Sequence, residues 1–174
     1  YGRPVEDYVK MLKAVSEAIK EVRPDAKIIG LSPSGLAWDW AKRAVDNGAL
    51  DYCDYVSLHP YSQNMSVDDY NWVSKLQDFK KYCADKGYDD VRLVASEMGW
   101  SSASIDGDKQ QAAYAVRMMS LNTYYDLIDI VCWYTAQNHN ISTPHERNFG
   151  LLKYWTYTDL PYEAKDSLIA ISTY

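Results

Sequence analysis

Short apolar runs alternate with long amphipathic stretches along all 174 residues of this chain, and that alternation leaves few folds open. Val5, Tyr8, Val9, Leu12, Val15, Ile19 and Val22 recur at helical spacing, with Glu6 and Asp7 in the first turn and Pro24 past the end. A strand follows at Lys27-Ile28-Ile29-Gly30-Leu31, then a helix from Leu36 to Val45 that Asn47-Gly48 stops. Tyr55-Val56-Ser57-Leu58-His59 reads as the second strand. Ser66-Val67-Asp68-Asp69 has the form of a capping box, and the helix it opens carries the apolar stripe Trp72, Leu76, Phe79 and Cys83 before Gly87 ends it. The third strand is Val91 to Ser96, followed by a helix from Lys109 to Tyr125. The fourth strand is Ile128 to Trp133, and a long polar loop then leads to a last helix from Tyr162 to Ile171.

Strands that alternate with helices pair in parallel through right-handed crossovers. Two architectures satisfy this: an open doubly wound sheet, or part of a closed barrel. No glycine-rich phosphate loop follows any strand, and Gly30-Leu31-Ser32-Pro33 is too poor in glycine to serve. The main functional reason to prefer the open sheet is therefore missing. A complete (β/α)8 barrel takes roughly 250 residues, so four strands amount to half of one. The expected fold class is α/β, half of a (β/α)8 barrel, with residues 1–174 forming a single segment. The chain has no repeat beyond the strand-helix unit and no low-complexity linker.

Composition narrows the function. Hydrophobic residues make up 47% of the chain, which argues against disorder, and no apolar run is long enough to span a membrane. The net charge is −6, with no basic cluster beyond pairs such as Lys80-Lys81. Nucleic acid and membrane surfaces are not expected partners. Sixteen Tyr and six Trp against two Phe favour rings with a polar handle, which suits a sugar-stacking cleft or a Tyr-rich core equally well. Cys53, Cys83 and Cys132 show no metal-site or redox spacing and read as buried free thiols. The chain opens on Tyr1-Gly2-Arg3-Pro4 without an initiator Met, so targeting information is expected to lie outside it.

Chemistry collects where the strands finish. The second ends in His59-Pro60-Tyr61, the third in Glu97-Met98-Gly99-Trp100 and the fourth in Trp133-Tyr134. In parallel α/β sheets the loops at the carboxyl ends of strands converge on one crevice, where catalytic groups sit. A carboxylate directly after Leu93-Val94-Ala95 is costly unless it is paired or functional, which singles out Glu97 as catalytic. Trp100 and Trp133 are candidate sugar platforms. His59 precedes a strand-ending proline, and the Tyr61 phenol can donate to a neighbouring carboxylate. Asn138 and His139, in the loop after the fourth strand, border the crevice. His139, His145 and Glu146 match no zinc spacing, so no metal is expected. Asn64-Met65-Ser66 and Asn140-Ile141-Ser142 fit the glycosylation sequon.

Taken in order, His59-Pro60-Tyr61, Ser96-Glu97-Met98-Gly99-Trp100 and Cys132-Trp133-Tyr134 resemble the retaining (β/α)8 glycoside hydrolases of clan A, nearest to the cellulase-, mannanase- and xylosidase-like families. The closing stretch Asn148-Phe149-Gly150-Leu151-Leu152, running on to Pro161-Tyr162, is similar to their usual ending. The resemblance covers the whole chain as strands five to eight, the C-terminal half of the barrel. It implies that Glu97 is the nucleophile, that His59 and Tyr61 position it, and that Trp100 and Trp133 hold sugar rings. It implies no cofactor, an oligo- or polysaccharide substrate, and a secreted or cell-surface setting. A non-proline cis peptide is expected between Trp133 and Tyr134. The family's acid/base Glu belongs to an Asn-Glu pair after the fourth barrel strand, and no such pair is present here. The missing N-terminal half is therefore the expected partner. The competing reading is a carbohydrate-binding barrel that has lost catalysis.

Overall fold

The computed structural model describes residues 4–33, 35, 38–140, 143–156 and 161–174. The expected start of the second helix at Leu36, part of the Asn140-Ile141-Ser142 sequon and the opening Tyr1-Gly2-Arg3 lie outside them. The elements run α1 (Val5–Val22), β1 (Ile29–Leu31), α2 (Trp38–Asp46), a 3-10 turn (Ala49–Tyr52), β2 (Tyr55–Leu58), α3 (Trp72–Asp85), β3 (Leu93–Met98), α4 (Gly107–Tyr125), β4 (Ile130–Trp133), α5 (Pro144–Arg147) and α6 (Asp166–Thr173).

The four strands make one sheet in the order β1-β2-β3-β4. Gly30 lies opposite Val56 and Ser57 opposite Val94, both in parallel register. A doubly wound sheet reverses its strand order at a switch point. Strictly sequential order is instead what successive strands of a barrel give.

The stripe read for α3 is the buried one: Trp72, Leu76, Phe79 and Cys83 are each at most 1% exposed. The capping box also forms, Ser66 Oγ accepting from Asp69 N at 3.1 Å, but it closes a turn that precedes α3 rather than its first turn. Two sequence expectations are corrected. Cys132 is exposed, since the side chains of β4 alternate and this one takes the open face. The last helix starts at Asp166 rather than Tyr162, because the segment before it is committed to another partner. Lys153 N donates to Glu163 O and Lys165 N to Leu151 O, a short antiparallel pairing that holds this stretch extended.

Two compact units divide the chain, and the second takes it up immediately after Pro60, Ser96 and Val131. The first holds α1, β1, α2, β2, α3 from Ser74 on, β3 as far as Ser96 and the start of β4. Within it the Asp54 carboxylate gathers three donors: Ile28 N at 2.9 Å, Lys27 Nζ at 3.1 Å and Lys20 Nζ at 3.2 Å. The backbone donor first, and the lysines after it, hold the Asp54 carboxyl down at about 2. A carboxyl depressed on folding contributes stability above its unfolded value near 4 and loses it as pH falls towards 2. Asp54→Asn should therefore cost about 1–2 kcal/mol at neutral pH, the difference from wild type shrinking between pH 4 and 2. Denaturant titration across that range checks it; a constant difference would exclude the charge as its source.

One face of α1 is left open. Met11, Val15 and Val22 are 56, 48 and 77% exposed, and Ile29 on the edge strand β1 is 51% exposed. These apolar side chains recur at spacings of four and seven, the pattern of a helix face that packs on a neighbour.

Candidate active site

The second unit gathers the strand-end residues. Glu97 is the fifth residue of β3, so the strand runs two residues further than its apolar run indicates. Burial along β3 is complete from Leu93 to Ala95, partial at Ser96 and Glu97, and complete again at Met98. The carboxylate thus leaves the core at the strand's carboxyl end. Tyr61 OH donates to Glu97 Oε2 at 3.0 Å. Burial, and then the Glu97 charge, push the Tyr61 phenol far above its ordinary range, so it stays protonated as a permanent donor.

Glu97 and Tyr61 line a cavity of about 470 Å³. Gln63 and Asn64 come to it from the loop after β2, Gly99 from the end of β3 and Tyr134 from the end of β4. His145, Glu146 and Phe149 complete the lining from the loop that holds α5. Thr143 caps α5, its Oγ1 accepting from Glu146 N at 3.3 Å, with Pro144 as the first helical residue. Burial first, then Glu146 and Glu97, raise the Tyr134 phenol.

Phe149 is the wedge of this arrangement. Its ring meets those of Tyr61 at 6.0 Å, Tyr134 at 5.4 Å and His145 at 5.0 Å, all edge-to-face. Its carbonyl accepts from Trp133 Nε1 at 3.0 Å. Two glycines allow the close approach that this packing needs. A Cβ on Gly99 would stand 2.5 Å from Tyr134 O, and one on Gly150 would stand 2.1 Å from Asn138 N.

The other expected site residues are distributed as follows. His59 belongs to the first unit, where its Nε2 meets Ser96 Oγ at 2.9 Å, and Ser96 Oγ in turn meets Ser57 Oγ at 2.6 Å. Asn138 is spent on the loop: its Nδ2 donates to Asn148 Oδ1 at 3.2 Å and its Oδ1 accepts from Gly150 N at 3.0 Å. His139 lies 6.4 Å from the Tyr134 ring, with Nε2 buried and without a hydrogen-bond partner. Trp133 is half-buried, its ring 6.0 Å from that of Trp100. Neither Asn138, His139 nor Trp133 lines the cavity.

Trp100 is corrected. It is only 1% exposed, and its Nε1 donates to Ser62 Oγ at 2.8 Å and Met65 O at 2.9 Å. With Tyr114 at its edge and Trp133 beside it, no ring face remains for a sugar. It is packing beneath the site. The cis peptide is also displaced by one bond: it joins Tyr134 to Thr135, and Trp133–Tyr134 is not cis. The strand pairing reaches one residue past Trp133, since Tyr134 N still donates to Met98 O at 2.9 Å.

Sequence reasoning passed over Gln63, Glu146 and Phe149 as site residues, weighed Asn64 only as a sequon, and treated His145 with Glu146 only as metal ligands. Among the described residues no group of three His, Cys, Asp or Glu is disposed to hold a metal ion.

No family model matches the sequence, and no curated protein matches it. Solved structures do. A family 39 glycoside hydrolase from the gut symbiont Bacteroides cellulosilyticus WH2 aligns with a TM-score of 0.77 and 26% identity, over 94% of this chain and 36% of that one. AbfB, a family 51 α-L-arabinofuranosidase from Bifidobacterium longum, aligns with a TM-score of 0.70 and 12% identity, over 98% and 40%. A family 39 β-xylosidase from Caulobacter crescentus gives 0.62 and 15%, over 94% and 35%. This chain spans little more than a third of each. Its sheet order and the partial coverage agree: the fold is α/β, the C-terminal half of a (β/α)8 barrel similar to those of the clan A glycoside hydrolases.

Proposed function

We propose that this chain is the C-terminal half of a retaining glycoside hydrolase for β-linked carbohydrate, with Glu97 as its nucleophile. The observation that carries the reading is a half-buried carboxylate at a strand end, opening into a cavity and held by a permanently protonated phenol. In a retaining mechanism a Glu97 oxygen attacks the anomeric carbon while the glycosidic C–O bond breaks. The leaving oxygen takes a proton from an acid/base carboxyl about 5–5.5 Å away, and water then cleaves the glycosyl ester. This chain supplies the attacker, and the acid/base Glu belongs to the N-terminal half. The open apolar face of α1 supports such a covering partner. Tyr61 fixes the attacking oxygen, and His59 acts through Ser96, the residue before Glu97. Trp133 offers its remaining face to a sugar ring, while Asn138 and His139 shape the loop that borders substrate. The setting is secreted or cell-surface.

The test uses the complete barrel and a fluorinated glycoside that forms the glycosyl ester but releases it slowly. Mass spectrometry should place the sugar on the peptide carrying Glu97. Saturable sugar binding with no covalent label on any residue would favour the non-catalytic barrel instead. Tyr61→Phe removes one hydrogen bond to a charged group, a loss of about 1.5–3 kcal/mol, so turnover should fall roughly 10- to 100-fold. Steady-state kinetics check it; unchanged turnover would remove Tyr61 from the machinery.

A further inference from the structure

We propose that Glu146 is a specificity-determining residue of this cavity, accepting hydroxyl groups of a neutral sugar and excluding sugars that carry a carboxylate or sulfate. The inference rests on the carbohydrate reading of the site but not on the identity of the nucleophile.

Glu146 stands on the single turn α5 and lines the same cavity as Glu97. Its backbone is fixed by the Thr143 cap, and the His145 carbonyl beside it accepts from Ser101 Oγ at 2.6 Å. The turn is therefore held from both sides, while the Glu146 side chain is exposed. No lysine or arginine lines the cavity among the described residues. Arg147 follows it in the chain but is not part of the lining.

Carboxylate groups are acceptors only. They suit the hydroxyls of a neutral ring, with the Gln63 and Asn64 amides able both to donate and to accept. An anionic sugar would enter a space lined by two acidic side chains and, among the described residues, by no lysine or arginine, with His145 as its one basic group. Like charge costs binding, though an exposed carboxylate is partly screened by salt. The Glu146 field also reaches across the cavity, contributing to the raised phenols of Tyr61 and Tyr134.

The experiment compares wild type and Glu146→Gln in the complete barrel. Binding of xylose, glucose and glucuronate is followed by calorimetry, and hydrolysis of the matched nitrophenyl β-glycosides by absorbance. Wild type should bind the neutral sugars in preference to glucuronate. Glu146→Gln should narrow that preference by roughly two- to fivefold, the size expected for one exposed, partly screened charge. Raising the salt concentration should narrow it more in wild type than in the variant, which keeps only the Glu97 carboxylate in the cavity. A preference unchanged in Glu146→Gln, or wild-type binding that favours glucuronate, overturns the proposal. If no glycoside is hydrolysed but the binding preference narrows as expected, the proposal holds and only the hydrolase reading fails.

Discussion

Glu97→Gln in the complete barrel should lower turnover of β-glycosides on the order of 10⁴-fold, about 5 kcal/mol of transition-state stabilisation, while folding changes little. An amide keeps the shape of the carboxyl and still offers an oxygen to the Tyr61 hydroxyl, which now lies 3.0 Å from Glu97 Oε2. It cannot form the glycosyl ester. Both substrate affinity and thermal midpoint should therefore stay close to wild type, because the packing around Met98 and Gly99 is untouched. Glu97→Ala opens space on the attacking face, and added azide should enter it and yield a glycosyl azide of inverted configuration. Chromatography of that product, alongside kcat for Glu97→Gln, separates a nucleophile from a merely structural carboxylate. Turnover near wild type in Glu97→Gln would end the assignment.

Much of this architecture was legible because it rests on period and position. The α3 stripe Trp72, Leu76, Phe79 and Cys83 follows one helical face, and a face that must be buried repeats every three or four residues. Parallel strands read as short continuous apolar runs, which located all four strands, although β1 and β4 each leave side chains exposed. The pairing of Tyr61 with Glu97 followed from strand ends converging on one side. What escaped depends on which face of a ring is covered. Trp100 and Trp133 look alike in sequence, since each is an aromatic residue at a strand end. Only the acceptors and rings around Trp100 decide that it is enclosed. Phe149 and Glu146 escaped for another reason. They sit in or just after the single turn α5 within a long loop, too short for a period to mark a side chain's direction, and contacts made far along the chain, from Tyr61 to Phe149 and from Ser101 to the His145 carbonyl, fix their positions. Element ends shifted where local pairing overruled helix propensity, as at Lys153 and Lys165.

Lys165→Met should destabilise the protein by about 3 kcal/mol and also slow turnover roughly tenfold, although Lys165 does not line the cavity. Lys165 is 2% exposed. Its Nζ donates to Ser102 Oγ at 3.0 Å and Asn148 O at 3.1 Å, and it pairs with Asp108 at 3.2 Å. Methionine fills the same volume but leaves Asp108 unpaired and takes a donor from Asn148 O. Breaking a buried pair from one side costs about 3–5 kcal/mol, and the partial exposure of Asp108 sets the low end. The effect on turnover passes through the neighbouring residue. Asn148 is followed by Phe149, whose ring holds Tyr61 and Tyr134 in place, and Tyr61 holds Glu97. Burial lowers the Lys165 ammonium below its ordinary range, and Asp108 opposes this. A lysine depressed on folding carries its burial cost while charged, and that cost lifts as pH rises towards 10.5. Wild-type stability should therefore gain over the alkaline window just below that value, and Lys165→Met should lack this gain. Denaturant titrations at neutral and alkaline pH, with kcat measured where both proteins are fully folded, test the two halves separately. A folded Lys165→Met with wild-type kcat would show that the lock serves stability alone and that Phe149 keeps Tyr61 on Glu97 without it.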